Sequence, residues 1–320
     1  MKLSIADLLV FCCLASASAS IVDTDEKKNH RRDRGRIWGD TTLADPRQFP
    51  YYVDIEGGCG GSLITDRVVV TAAHCMGDDY ADYLPGGSKE DDQWEVLVGA
   101  IKKQDETKGD AEWIKVDKIA IPKQTKKCTL NSNWDCDELN FDYALMRLEK
   151  PYDMTEFSNI ELRFNMIQNS PSIGQDLTLI GMGRGNFINN EDLKLPDDRT
   201  NDLFFATLPY KHENKKCGKL WNRSNKMPST RICWNEGSCK KEESICAGKG
   251  DSGGPLVSIE GNVHTQIGVV SYLSNNDNAP DVFTRLGATK ICKFTQKQLC
   301  KKWKVVDTKH YLCANECAKN

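Results

Sequence analysis

The stretch Val68-Val69-Val70-Thr71-Ala72-Ala73-His74-Cys75 packs β-branched and small residues into one short run and ends on a histidine and a cysteine. A run this short, this rich in Val and Thr, reads as a buried strand rather than a helix. Similar runs recur outward from it: Tyr51-Tyr52-Val53-Asp54-Ile55, Trp94-Glu95-Val96-Leu97-Val98, Leu177-Thr178-Leu179-Ile180, Ile267-Gly268-Val269-Val270 and Val282-Phe283-Thr284. Gly, Pro, Asn and Asp punctuate them. Helical periodicity is absent until about Ala288, where a C-terminal amphipathic helix is expected. The pattern predicts an all-β chain of barrel architecture closed by that helix.

With 320 residues, 39% of them hydrophobic, the chain can bury one large core or two moderate ones. The formal net charge of -3 lacks the basic excess of a nucleic-acid binder, so no nucleic-acid partner is expected. Lysine pairs at Lys102-Lys103, Lys126-Lys127, Lys215-Lys216, Lys240-Lys241 and Lys301-Lys302 read as solvated surface, with a polyanion-binding patch as the alternative.

The first 19 residues combine Lys2, an apolar run from Leu8 to Leu14 and the small residues Ala15 to Ala19, the pattern of a secretory signal peptide. Asp7 at the edge of that run weakens it. The run is too short for a span of about 20 residues, so no membrane association is expected. Residues 20–36 are almost wholly polar and end on Arg31-Arg32-Asp33-Arg34-Gly35-Arg36, which reads as a propeptide open to proteolysis. Of the 14 Cys, Cys12 and Cys13 fall in the signal segment; the even remainder suggests disulfides in a secreted, extracellular protein. No Cys-x-x-Cys pairs occur, so neither metal nor cofactor is expected.

Three segments carry chemistry. Ser252 lies in Gly250-Asp251-Ser252-Gly253-Gly254-Pro255, where the glycines permit a tight turn that points the N–H groups of Gly250 and Ser252 to one side, as an oxyanion site requires. A serine hydroxyl becomes a nucleophile only beside a base. His74 follows a strand, and a Cys59–Cys75 bridge would fix its loop. Asp142, in Asn140-Phe141-Asp142-Tyr143-Ala144-Leu145, stands at a strand entry, where an acid can orient an imidazole.

Together these segments resemble the trypsin and chymotrypsin family of serine peptidases, from Ile37 to about Leu299, with His, Asp and Ser in that family's order. The resemblance implies two packed six-stranded antiparallel β-barrels over residues 37–302, with a cysteine-containing extension at 303–320. It implies a His74, Asp142, Ser252 triad, an oxyanion hole at Gly250 and Ser252, and Ser271 hydrogen-bonded to the triad acid. It implies a zymogen cut after Arg36, so that the new amine of Ile37 pairs with Asp251. Trp38 and Asp40 depart from the small residues common there. It implies a Cys217–Cys233 bridge. The family's usual cysteine before the nucleophile is replaced by Gly248, which leaves Cys239 and Cys246 to join each other. Asp281 falls in the wall of the specificity pocket, where it would receive Lys or Arg; the competing reading is a solvated turn acid. Leu273 would narrow the pocket mouth. The first acid of the family's calcium loop aligns with Ala100.

Polypeptide substrates and protein inhibitors are the expected partners of a monomer. The alternatives are elastase- or chymotrypsin-like specificity, an inactive homologue acting as a binding protein, and a disulfide-stapled adhesion or toxin module. Asn222-Arg223-Ser224 is a glycosylation sequon. If residues 288–302 are helical, Cys292 and Cys300 stand about 12 Å apart at ~1.5 Å per residue, too far to pair. The tail then folds back, with Cys300 to Cys313 and Cys292 to Cys317, or with the partners exchanged. A frayed tail would instead pair Cys313 with Cys317.

Overall fold

The computed structural model describes residues 37, 41–45, 47–56, 58–76, 94–99, 111–123, 125, 141–153, 160–183, 202–221, 227–235, 245–248, 250–272 and 279–317. The expected signal peptide and propeptide, Arg36, Ala100, Asn222, Cys239, Leu273 and most of the two acid-rich loops, at residues 78–92 and 105–112, lie outside these residues. Glu112, at the edge of one loop, is described and pairs with Lys150.

The β-branched runs become strands. The first unit is a closed barrel in the order β2-β3-β4-β7-β6-β5. Its strands are β2 Tyr52–Ile55, β3 Cys59–Thr65, β4 Val68–Thr71, β5 Glu95–Val98, β6 Glu112–Ala120 and β7 Ala144–Leu148. All neighbours run antiparallel, and β4 aligns Val69 with Met146 and Thr71 with Ala144 of β7. Val68, Val69 and Val70 are fully buried, and together with Ile55, Leu63, Ile114, Val116, Leu145 and Leu148 they belong to one large apolar cluster that packs both faces of the barrel wall.

The second unit is an eight-stranded sheet. Its antiparallel run is β10-β9-β12-β13-β14-β11, built from β9 Asp176–Gly181, β10 Phe204–Pro209, β11 Arg231–Trp234, β12 Pro255–Glu260, β13 Val263–Tyr272 and β14 Asp281–Arg285. The short β1 Thr42–Leu43 extends it beyond β10, and β8 Glu161–Phe164 pairs in parallel with β13. A separate apolar cluster of Leu177, Leu179, Ile232, Trp234, Leu256, Ile267 and Phe283 lies inside it, and Ile37 is buried in that cluster.

Polar side chains stitch the units together. The Tyr51 hydroxyl and His264 Nδ1 are hydrogen-bonded at 2.8 Å, and Ser62 Oγ of β3 donates to Gln266 Oε1 of β13 at 2.9 Å. These groups are buried, so each contact satisfies atoms that would otherwise cost free energy.

Near the C-terminus, α2 Thr289–Gln296 continues as a π-helical segment Lys297–Lys302. The short helix α1 Asn214–Leu220 precedes β11, and α3 Tyr311–Ala314 belongs to the tail. The tail folds back as the first of the expected pairings: Cys292 is bonded to Cys317 and Cys300 to Cys313, with Cα separations of 5.8 Å and 5.9 Å. Gln296 Nε2 donates to the carbonyls of Leu312 and Asn315, and Tyr311 Oη accepts the backbone N–H of Phe164. Trp303 and Leu312 are buried in the large apolar cluster that the two units share.

Each tail bridge closes a loop, of 25 residues for Cys292–Cys317 and 13 for Cys300–Cys313. Removing either pair as Cys→Ser doubles is therefore expected to cost about 3 kcal/mol. The measurement is the urea midpoint of the disulfide-bonded protein, and an unchanged midpoint in both doubles would contradict a clamping role.

Candidate active site

His74 sits in a 3-10 turn, Ala73–Met76, which follows β4 directly. The Cys59–Cys75 disulfide ties that turn to the start of β3, with Cα atoms 6.0 Å apart. Asp142 enters β7 from the neighbouring strand and is 1% exposed. Its Oδ1 accepts the His74 backbone N–H at 3.0 Å, and its Oδ2 is hydrogen-bonded to His74 Nδ1 at 2.8 Å. Ser271 Oγ of β13 donates to the same Oδ2 at 2.6 Å, and Thr284 Oγ1 of β14 donates to the Asp142 carbonyl at 2.7 Å. The carboxylate thus belongs to the first barrel, and one hydroxyl of the second sheet, that of Ser271, holds it, while Thr284 holds the backbone carbonyl of the same residue.

Burial alone would raise the Asp142 pKa; the imidazole beside it and the three hydrogen bonds outweigh that and hold it low. For His74, burial alone would lower the pKa. The Asp142 charge and the Nδ1 hydrogen bond overcome this and raise it above the ordinary imidazole value. The ring keeps 36% of its surface exposed, so it is open to a reacting group.

Ser252 stands in a turn with Gly250 at φ 101° and Gly253 at φ 79°, conformations that a side chain would strain. The turn is locked by Asp251 N–H to the Gly248 carbonyl, Gly253 N–H to Val270 and Gly254 N–H to Asp251. It docks on the first barrel through the Gly60 N–H, which donates to the Ser252 carbonyl at 2.7 Å. A Cβ on Gly253 would collide with Thr71 Oγ1 and the Gly60 carbonyl, so the serine turn lies against the strand that leads into His74. Among the described residues, neither the Gly250 nor the Ser252 N–H donates a hydrogen bond.

Asp251 is fully buried; its carboxylate accepts the backbone N–H groups of Gly183 and Gly248, both at 2.6 Å. Gly181 and Gly183 were not singled out in the sequence. A Cβ at either would overlap the Asp251 carboxylate, so glycine there is a packing requirement. Their signal was the spaced glycines of Gly181-Met182-Gly183 at the end of a strand.

Asp281 opens β14 and is fully buried, which overturns the alternative of a solvated turn acid. Its Oδ2 accepts from Asn235 Nδ2 and the Ala247 N–H, both at 2.8 Å. Asn235 has φ 76°, a left-handed conformation that asparagine tolerates better than most residues. Beside this acid, Trp221 packs edge-on to Tyr272 at 5.2 Å and donates from Nε1 to the Pro280 carbonyl. Arg231 donates to the Tyr272 hydroxyl at 2.9 Å. Sequence reasoning did not reach Asn235, Arg231 or Trp221. Cys217 is bonded to Cys233, and Cys246 is also in a disulfide.

Two β units that bring a serine turn against the strand leading into a carboxylate-held histidine are an arrangement found in hydrolases of the serine-peptidase class. The trypsin family model matches residues 38–293. The chain therefore belongs to the trypsin family, and it is a serine endopeptidase acting on polypeptides. It is 28% identical over 233 residues to Duodenase-1 of Bos taurus, covering 72% of this chain and 74% of that protein. It is 29% identical over 234 residues to Kallikrein 1-related peptidase b27 of Mus musculus, covering 71% of this chain and 76% of that protein. No helix among the described residues is long and apolar enough to cross a membrane.

The raised His74 pKa depends on Asp142. Replacing Asp142 with Asn leaves burial as the main influence, so the imidazole should titrate below about 6.5 instead of above it. An NMR titration of the His74 ring reads this directly; an unchanged midpoint in Asp142→Asn would contradict the pairing.

Proposed function

We propose that this protein is a secreted protease made as a zymogen, with Ser252 as nucleophile, His74 as general base and Asp142 as the acid that orients it. The observation that carries the reading is the His74–Asp142–Ser271 hydrogen-bond chain beside the docked serine turn. In the reaction, Ser252 Oγ attacks the scissile carbonyl carbon and its proton passes to His74 Nε2. The oxyanion is held by the Gly250 and Ser252 N–H groups. The protonated imidazole, stabilised by Asp142, gives its proton to the leaving amine as the C–N bond breaks. Water, activated by the same imidazole, then hydrolyses the acyl-enzyme and returns Ser252.

For activation, the reading is cleavage after Arg36, with the freed amine of Ile37 pairing with Asp251. It is supported by the burial of Ile37 in the second apolar cluster and by a buried acid next to the nucleophile. An unpaired partner at such a site costs on the order of 3–5 kcal/mol, enough to leave the oxyanion site unformed before cleavage.

For specificity, the reading is cleavage after Lys or Arg, because a fully buried carboxylate at Asp281 is the chemistry that receives a cationic side chain. One observation favours the elastase- or chymotrypsin-like alternative: Asn235 and Ala247 already engage Oδ2, as they would in a purely structural acid.

Three outcomes test these readings. Ser252→Ala should lower kcat by about 10⁶-fold, in line with other triad knockouts, and the wild-type rate should rise with pH through a midpoint above 6.5, since only neutral His74 can take a proton. Active enzyme should begin at Ile37 on N-terminal sequencing; another start refutes the activation step. On a peptide library, wild type should cleave after Lys and Arg and Asp281→Asn should lose that preference. Cleavage after Leu, Phe or Ala by wild type would establish the alternative.

A further inference from the structure

The C-terminal helix carries a charge pattern that catalysis does not use. Between Gly287 and Val306 the chain has six lysines and no acid, although its formal net charge is -3. Lys290, Lys293, Lys297 and Lys301 follow one another at steps of three or four residues, the spacing of neighbours on one helical face. All four are exposed, while Ile291, Cys292, Thr295, Gln298 and Leu299 between them are buried. The stripe is roughly 15 Å long at helical rise. Among the described residues none of the four forms an ion pair, and Lys290 alone has a neighbour of note, the Phe141 ring 5.5 Å from its Nζ.

Like charges one turn apart repel one another and are retained at a cost. Here the cost falls on a rigid element, because Cys292–Cys317 and Cys300–Cys313 staple the helix to the tail. The charges are therefore fixed in a line before any ligand arrives, which reduces the ordering entropy of binding. Most of the stripe's staples and two of its lysines lie beyond the residues that match the trypsin family.

We propose that this stripe is a binding site for a linear sulfated polysaccharide. A row of point charges fits a ligand whose anionic groups repeat along a line. The stripe offers no exposed large apolar side chain to enter a lipid bilayer; Phe294, the nearest, is half-buried. It has lysines rather than planar arginine forks and no exposed aromatic to stack on bases, so it lacks what reads a nucleic acid. The staples themselves belong to an oxidising compartment, where polysaccharides rather than nucleic acids are the abundant polyanions.

The test titrates the full chain with a heparin octasaccharide over a range of NaCl concentrations. The variant K293Q/K297Q/K301Q should bind about a hundredfold more weakly, from roughly fivefold per lysine, and the slope of log Kd against log[NaCl] should fall by about 2. K293R/K297R/K301R should bind as wild type does. K215Q/K216Q/K219Q removes the same charge from the exposed lysines of α1 and should leave binding unchanged. In wild type, the octasaccharide should protect Lys293, Lys297 and Lys301 from acetylation as read by mass spectrometry, a measurement that needs no variant to fold. Equal losses in the two Gln triples, no binding by wild type, absence of that protection, or tighter binding to a DNA oligonucleotide or to phosphatidylserine vesicles would each overturn the proposal.

Discussion

The buried carboxylate of Asp142 is the constraint around which the two β units are arranged. A charge taken out of water is tolerated only when it is paired and hydrogen-bonded. Asp142 meets that requirement by drawing partners from both sides: the imidazole and backbone N–H of His74 from the first barrel, the hydroxyl of Ser271 from the second sheet. Thr284 adds a bond to its carbonyl. Any sliding of one unit past the other would strand this charge. The residues on either side are pinned as well, since Tyr143 Oη is hydrogen-bonded to Thr295 of α2 at 2.8 Å, and Thr125 Oγ1 donates to the Phe141 carbonyl. The meeting of His74 with Ser271 across the two units is thus a consequence of satisfying one acid.

Asp251 and Asp281 repeat the problem with different solutions. Asp251 takes backbone N–H groups from Gly183 and Gly248, and Asp281 takes one from Ala247 and a side-chain amide from Asn235. Backbone donors fix the position of an acid without adding a competing charge. The segment before Ser252 supplies two of these donors, the Ala247 N–H to Asp281 and the Gly248 N–H to Asp251. The same economy leaves two N–H groups, at Gly250 and Ser252, pointing away from any internal acceptor among the described residues.

What could be read from the sequence follows from these facts. Strands of the first barrel were legible because Val68-Val69-Val70 and its counterparts are short, β-branched and bounded by turn formers. The segments of His74, Asp142 and Ser252 were legible because each has a local pattern. Gly181, Gly183 and Asn235 were not, since their roles arise from contact with Asp251 and Asp281, 46 to 70 residues away along the chain. No periodicity encodes such contacts. Asp281 shows the same limit from the other side: the asparagine-rich residues before it suggest a solvated turn, whereas pairing of β14 with β11 takes it out of water. The tail pairing became readable only once helix geometry excluded Cys292 to Cys300, and spacing alone left two arrangements open.

The tail is physically continuous with the rest of the fold. Trp303 and Leu312 contribute to the apolar cluster shared by the two units, Tyr311 caps a backbone N–H of β8, and two disulfides return to the helix. An extension held this way has no core of its own, so its order derives from α2 and the order of α2 is reinforced in return. The helix consequently presents one face to Tyr143 beside Asp142 and the opposite, lysine-bearing face to solvent, with little freedom to turn between them. Rigid, close-packed elements transmit displacement rather than absorb it. Thr295 and Tyr143 are the hydrogen-bonded pair through which the helix meets the residue next to Asp142.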